Sequence, residues 1–203
     1  MIHAPQLKDV PDVEHGFGTR ADEAWLPEIG HAWVKQIHSD IIVRASAEGA
    51  QGEGDAVITT APELWISVRT ADCLPILLVD PVARVAAAVH AGWRGTEGRI
   101  VAKTVAEMLK LGAELSSLRA AIGPGIGLCC FEVGPEVSSR FGLEGTTNVD
   151  LAAANERQLL ETGMELHNIW TSKLCTKCTP EMFHSYRRDP GISGRMVSAI
   201  RLV

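Results

Sequence analysis

The sequence predicts an α+β domain in which mixed, largely antiparallel β-sheets are flanked by helices, and three observations carry that expectation. Short runs rich in apolar and β-branched residues come in clusters instead of alternating strictly with helices. Helical spacing is confined to two segments. The chain of 203 residues is 46% hydrophobic, enough for one sizeable core, and no repeat or linker-like stretch divides it, so residues 1–203 read as one domain.

The first forty residues are turn-rich. Residues 41–45, 56–60 and 64–69 then carry the β-branched enrichment of strands. The apolar runs around 75–80 and 84–91 are short and bounded by Pro, Asp or Gly, so both read as buried strands with Asp80-Pro81 as the turn between them. From 96 to 111 the spacing becomes helical: Ile100, Val101, Thr104, Val105, Met108 and Leu109 share a face, and Gly112 stands where the helix stops. Residues 118–122 read as a strand entering the turn Gly123-Pro-Gly-Ile-Gly127. A second helix runs from about 151 to 162, with Asp150 as its N-cap and Gly163 past its end, and residues 195–203 read as a last strand.

Lys and Arg number 19 against 25 Asp and Glu, a net charge of -6 with no basic run, which disfavours a nucleic-acid partner. No apolar stretch approaches the ~20 residues of a membrane helix. The N-terminus lacks a basic segment followed by an apolar core, so the chain reads as cytoplasmic, with no membrane association. Five cysteines, two of them adjacent at Cys129-Cys130, fit reduced thiols better than a disulfide framework.

Three segments end an apolar strand with a metal-ligand type beside a tight turn: Lys35-Gln-Ile-His38, Ala71-Asp-Cys-Leu-Pro75 and His90-Ala-Gly-Trp-Arg-Gly95. His38, Cys73 and His90 together suit a borderline cation such as Zn²⁺, and three protein ligands leave a fourth tetrahedral position for water or substrate. Two other readings stand beside this one. The histidines cap strand ends and Cys73 is a small hydrophobe; or Cys73 is a nucleophile with His90 or His38 as its base. Spacing does not separate them. Asp72 either pairs with Arg69 in a structural salt bridge or holds the second nitrogen of a ligating histidine. The stretch Gly92-Trp-Arg94-Gly95 leads into a helix start, which favours anions, and Gly123-Pro-Gly-Ile-Gly127 reads as a tight turn or a second concave loop of donors. Phe183-His-Ser-Tyr-Arg187-Arg188 gathers aromatic and guanidinium groups suited to a phosphate or a flat heterocycle, against a plainer reading as a solvated charged turn. Cys175-Thr-Lys-Cys178 lacks the second C-x-x-C that a zinc ribbon needs and reads as a pair of free thiols, with Cys129 and Cys130 structural.

Taken together, His15-Gly-Phe-Gly-Thr-Arg20, Gln36-Ile-His38, Gly54-Asp-Ala56, Thr70-Ala-Asp-Cys-Leu-Pro75, His90-Ala-Gly-Trp-Arg-Gly-Thr96, Ile122-Gly-Pro-Gly-Ile126, Cys130-Phe-Glu-Val-Gly134 and Phe183-His-Ser-Tyr-Arg-Arg-Asp189 with Gly194-Arg195 span nearly the whole chain. In these motifs the sequence resembles the YfiH-type family, known also as the laccase-domain or multicopper polyphenol oxidase family and as peptidoglycan editing factors. The resemblance implies a layered α/β sandwich, grouped with a toxin domain that uses a Cys-His pair. It implies a metal site of His38, Cys73 and His90 holding zinc, with copper in members described as oxidases. It also implies purine nucleosides and phosphate as substrates: phosphorolysis of adenosine, inosine or methylthioadenosine, and hydrolytic deamination of adenosine. On that basis Arg94, Arg187, Arg188 and Arg69 are expected to bind substrate or phosphate, and Asp72 or Glu132 to carry protons. The alternatives are copper-dependent polyphenol oxidation, for which the seven histidines assemble one metal site, a metal-free cysteine hydrolase editing peptidoglycan precursors, and a non-catalytic binding module. The chain departs from the family pattern in the short acidic segment from Ala21 to Gly30 and at Gly125, where Ser or Cys is often found.

Overall fold

The two apolar runs around 75–80 and 84–91 become the centre of the molecule. The computed structural model describes residues 1–22, 25, 26 and 30–203; the acidic segment from Ala21 to Gly30 therefore falls partly outside the described residues. In chain order the elements are α1 (Pro5–Lys8), β1 (Val13–Phe17), β2 (His31–Lys35), β3 (Ile42–Arg44), β4 (Gly49–Glu53), β5 (Ala56–Thr59), β6 (Trp65–Thr70), β7 (Leu74–Asp80) and β8 (Val85–Ala91). They continue with α2 (Trp93–Glu97), α3 (Ile100–Lys110), β9 (Arg119–Ile122), β10 (Glu132–Val133), α4 (Pro135–Ser138), β11 (Thr147–Asn148), α5 (Leu151–Glu161), β12 (Ile169–Thr171) and β13 (Met196–Leu202).

A six-stranded sheet in the order β12-β9-β7-β8-β5-β3 packs against a five-stranded sheet in the order β1-β13-β6-β2-β4. Both are mixed, with β2 parallel to β4 and β6, and β3 parallel to β5, beside antiparallel pairs. This is the α+β architecture with mixed sheets that the clustering of strands predicts. Every residue of β7 and β8 is buried, because alternate side chains serve two cores. Ile76, Leu78, Ala87 and Val89 face a cluster completed by α3 and α5, whereas Leu77, Val79, Ala86 and Ala88 face the second sheet. Asp80 ends β7 and is itself buried; its carboxylate accepts from the Val82 and Ala83 N–H groups and from the Glu114 N–H and Ser117 Oγ. The Asp80-Pro81 turn is thus fixed by an acid whose lone pairs are used.

The helix expected over 96–111 is two helices. Arg99 takes a left-handed φ of 61° and separates α2 from α3. Helical periodicity holds on either side of it, which is why the sequence alone reads through the break. Helix α3 buries Ile100, Val101, Val105 and Met108, each contributing on the order of 1.5–3 kcal/mol through burial. Gly112 follows it at φ 97°, the left-handed stop expected there. In α5 the Asp150 side chain accepts from the Ala153 N–H as a cap should, and buried Asn155 donates to Thr96 Oγ1 at 2.9 Å, tying α5 to α2. Six strands lie outside the sequence expectation: β1 and β2 in the turn-rich start, the Gly- and Gln-rich edge strand β4, the two-residue β10 and β11, and the three-residue β12. Their residues are too mixed in polarity, or too few, to stand out by period. Among the described residues no helix is long and apolar enough to cross a membrane.

Candidate functional site

Sheet register assembles the site. Residues Leu74 and Pro75 of β7 pair with Ala91 and His90 of β8, so Cys73, one residue ahead of β7, lies beside His90. The loop after β2 brings His38 to the same place, with φ 60°, a conformation few side chains adopt. That backbone is held by a buried carboxylate: Asp55 accepts from the N–H groups of Ile37, His38 and Ser39 and from Ser39 Oγ. Asp55 also accepts from His90 Nδ1 at 2.7 Å. One acid therefore sets both the loop that carries His38 and the ring of His90.

The donor atoms of His38, Cys73 and His90 lie within 4.8 Å of one another, and the two imidazoles meet edge to face with centroids 4.9 Å apart. Burial pushes the Cys73 thiol up, but hydrogen bonds from His38 and His90 outweigh it and bring the thiol down to about 6. Burial disfavours the His90 cation, whereas its bonds to Asp55 and Cys73 raise it to about 9. Asp55, pushed up by burial, is pulled down by His90 and Ser39 to about 2. The site is thus built around a thiolate, and His90 Nδ1 is committed to Asp55, leaving Nε2 for the Cys73 side.

These residues fit a tetrahedral cation. Bonds of ~2.0–2.3 Å from nitrogen and sulfur require donor separations near ~3.5 Å, which small side-chain rotations reach from the observed cluster. Room is kept by Gly92, where an added Cβ would stand 3.0 Å from Cys73 Sγ and 3.4 Å from the His38 ring. A carboxylate behind a ligating histidine is the usual support for such a ligand. The sequence offered Asp72 either for that support or for a salt bridge with Arg69, and the structure shows neither. Asp72 spends its oxygens on Thr176 Oγ1 and the Arg187 N–H, both at 2.6 Å, while Asp55 holds His90. The Gly54-Asp-Ala56 motif was visible, but a lone acid heading an apolar strand carries no sign of a partner 35 residues away.

The three donors form the floor of a cleft of about 710 Å³. Arg69, Arg187 and Asp72 line it, with Tyr186 of the aromatic and guanidinium segment beside them, joined by Arg195 and Phe131, which the sequence did not single out for the site. Gln36 exchanges two hydrogen bonds with the Arg69 backbone, each 2.8 Å, fixing that wall. Arg187 lies over the Phe131 ring and donates Nη1 to the Glu132 carbonyl. Two expected residues are elsewhere. Arg94 stacks on Trp93 and lines a neighbouring depression that meets the cleft only at His38. Arg188 is absorbed by the chain itself, donating to Thr176 O, Phe183 O and the Asp189 carboxylate. Glu132 is exposed and outside the cleft. The turn at 123–127 is a packing device: Cβ atoms at Gly123 and Gly125 would collide with Phe17 and Leu74, and the N–H groups of Gly123 and Ile126 are used by the Pro75 and Asp72 carbonyls.

A family model described as multi-copper polyphenol oxidoreductase laccase matches residues 9–203. A purine nucleoside phosphorylase of Deinococcus radiodurans is 45% identical over 181 residues, covering 84% of this chain and 70% of that protein. Adenosine deaminase RL5, from an unknown prokaryotic organism, is 41% identical over 160 residues, covering 72% of this chain and 61% of that protein; the chain spans less than two thirds of the deaminase. The crystal structure of the Bacillus licheniformis hypothetical protein YfiH is 31% identical with a TM-score of 0.81, covering 86% of this chain and 74% of that one.

Proposed function

This chain belongs to the multi-copper polyphenol oxidoreductase laccase family, and from that premise we propose that it is a zinc-dependent enzyme of purine nucleosides. Its reactions in this reading are phosphorolysis of adenosine, inosine or methylthioadenosine and hydrolytic deamination of adenosine. The observation that carries the proposal is the open-sided His38, Cys73 and His90 donor set at the floor of a cleft whose walls are cationic and aromatic. Relatives named for both activities supply the substrate class.

A bound zinc ion supplies Lewis acidity and makes a water acidic enough to react near neutral pH. The chain's own residues supply the rest. A cleft of about 710 Å³ accommodates a nucleoside with phosphate. Phe131 and Tyr186 offer faces for the base, and Arg69 and Arg187 offer fork-shaped donors for the phosphate. In phosphorolysis a phosphate oxygen bonds to the anomeric carbon as the glycosidic C–N bond breaks, and the base leaves with that electron pair and takes up a proton. In deamination a water oxygen bonds to the amine-bearing carbon and ammonia leaves. Asp55 keeps the His90 proton on Nδ1, which holds Nε2 in position throughout.

A second reading rests on one specific arrangement: Cys73, His90 and Asp55 stand in the order nucleophile, base and orienting acid of a metal-free cysteine hydrolase. Metal quantification with a nucleoside panel, run with and without phosphate, separates the two. Cys73→Ser is expected to abolish both turnovers and remove one metal ion per chain. Turnover that survives in that variant would take the metal site out of the reaction, and full activity after exhaustive chelation would favour the cysteine reading.

A further inference from the structure

We propose that Cys129, Cys130, Cys175 and Cys178 form a second metal site, a tetrathiolate for a thiophilic divalent cation of the zinc class, which clamps two loops behind the cleft. The five cysteines are free thiols, and the remaining one, Cys73, belongs to the site already described. The four Sγ atoms all lie within 4.8 Å of one another, with Cys130 3.3 Å and Cys129 3.6 Å from Cys178. Zinc–sulfur bonds of ~2.3 Å in a tetrahedron place sulfurs ~3.8 Å apart, so the observed cluster brackets the geometry of a shared ion. A disulfide needs ~2.05 Å and uses two sulfurs, leaving two thiols with no part in the cluster.

The backbone is shaped for sulfur as well. Gly127 N–H donates to Cys175 Sγ at 3.2 Å, and the N–H groups of Cys178 and Lys177 also favour the Cys175 thiolate. This is how a C-x-x-C turn wraps a metal-bound sulfur. A Cβ at Gly127 would stand 3.3 Å from Cys175 Cβ and 3.4 Å from Cys129 Sγ, so glycine leaves space for the sulfurs to converge. Cys175 and Cys178, read from the sequence as free thiols, are joined in space by a second pair, the adjacent Cys129-Cys130, about 48 residues away and without C-x-x-C spacing.

None of the four lines the cleft, yet both loops reach it. Phe131 follows Cys130, and Thr176, between Cys175 and Cys178, donates to Asp72 at 2.6 Å while its carbonyl accepts from Arg188. An ion here positions a wall of the cleft and takes no part in the reaction. The all-sulfur donor set distinguishes it from the mixed nitrogen and sulfur set of His38, Cys73 and His90.

The test uses full-length protein purified under reducing conditions from zinc-supplemented cells. Wild type is expected to carry about two zinc ions per chain, Cys73→Ser about one, and Cys73→Ser combined with Cys175→Ser and Cys178→Ser none. Cobalt loaded into the Cys73→Ser protein should give the intense charge-transfer bands of a tetrathiolate, and chelation should lower its Tm and turn four protected thiols reactive. These last measurements hold even if the triple variant fails to fold. A Cys73→Ser protein that binds no metal, or native protein carrying a disulfide between Cys178 and Cys129 or Cys130 under those conditions, would overturn the proposal.

Discussion

Replacing Asp55 by Asn removes one charge and almost no volume from a position that is fully buried, 0% exposed, and bonded both to His90 and to the backbone of His38 in the proposed metal site. The rise of His90 from 6.5 to about 9 corresponds to about 3.5 kcal/mol at ~1.4 kcal/mol per pH unit, the net that the bonds to Asp55 and Cys73 leave after burial has opposed them. Losing the carboxylate behind a metal-bound histidine ordinarily costs ~10–100-fold in metal affinity or activity. Asp55→Asn is therefore expected to bind zinc ~10–100-fold more weakly, measured by competition with a chromophoric chelator in a protein whose circular dichroism is unchanged. Asp55→Ala should go further, because the N–H groups of Ile37, His38 and Ser39 lose their acceptor; buried donors without partners cost about 1–3 kcal/mol each, and urea unfolding should register the loss. An Asp55→Asn protein with wild-type zinc affinity and wild-type nucleoside turnover would refute the assignment of Asp55 as the acid that organises the centre.

Four further outcomes follow from the same geometry. Gly92→Ala puts a methyl group 3.0 Å from Cys73 Sγ and should lower metal affinity by at least ~10-fold with little change in Tm, read by the same competition assay. Arg69→Ala should raise the KM for phosphate by about 10-fold, the scale of one charge-assisted contact, while leaving adenosine deamination nearly unchanged in a coupled ammonia assay. Stability in the presence of chelator should fall at the acid end of the pH range and stay nearly level toward the alkaline end. Asp55, at about 2 folded against 3.8 ordinarily, contributes fully above pH ~4 and loses its contribution as pH falls toward 2; between 6.5 and 9 the raised His90 and the lowered Cys73 offset each other, because the proton that His90 keeps is the one that Cys73 gives up. Zinc affinity, by contrast, should climb between pH 6 and 9, because the ion displaces the proton held by the Cys73 and His90 pair.

The core of this fold was readable because burial on both faces forces uninterrupted apolar runs, as in Leu74–Asp80 and Val85–Ala91. Both capped ends of α5 and the stop at Gly112 were readable for a similar reason: each is decided by one residue's own chemistry. Edge strands such as Gly49–Glu53 face water, carry no such pattern, and were missed. The three donors of the proposed metal site stood out as reactive side chains ending separate strands. What organises them did not, since Asp55 acts through partners at 37–39 and 90 that only the β5–β8 pairing brings near. The same limit hid the sulfur cluster, whose halves meet through loops and not through spacing, and it misplaced Arg94 and Arg188, whose guanidinium groups the chain consumes locally.

The strands β7 and β8 meet no solvent on either face, so the ground on which Cys73 and His90 stand has almost no freedom to drift. A bulkier or smaller side chain there disturbs two cores at once. Arg69, Tyr186, Arg187 and Arg195 belong instead to strand ends and connecting segments at the mouth, where exchanges leave both cores untouched. Divergence within this architecture is thereby channelled: descendants can acquire new substrate preferences by altering the mouth while inheriting the same reactive centre unchanged.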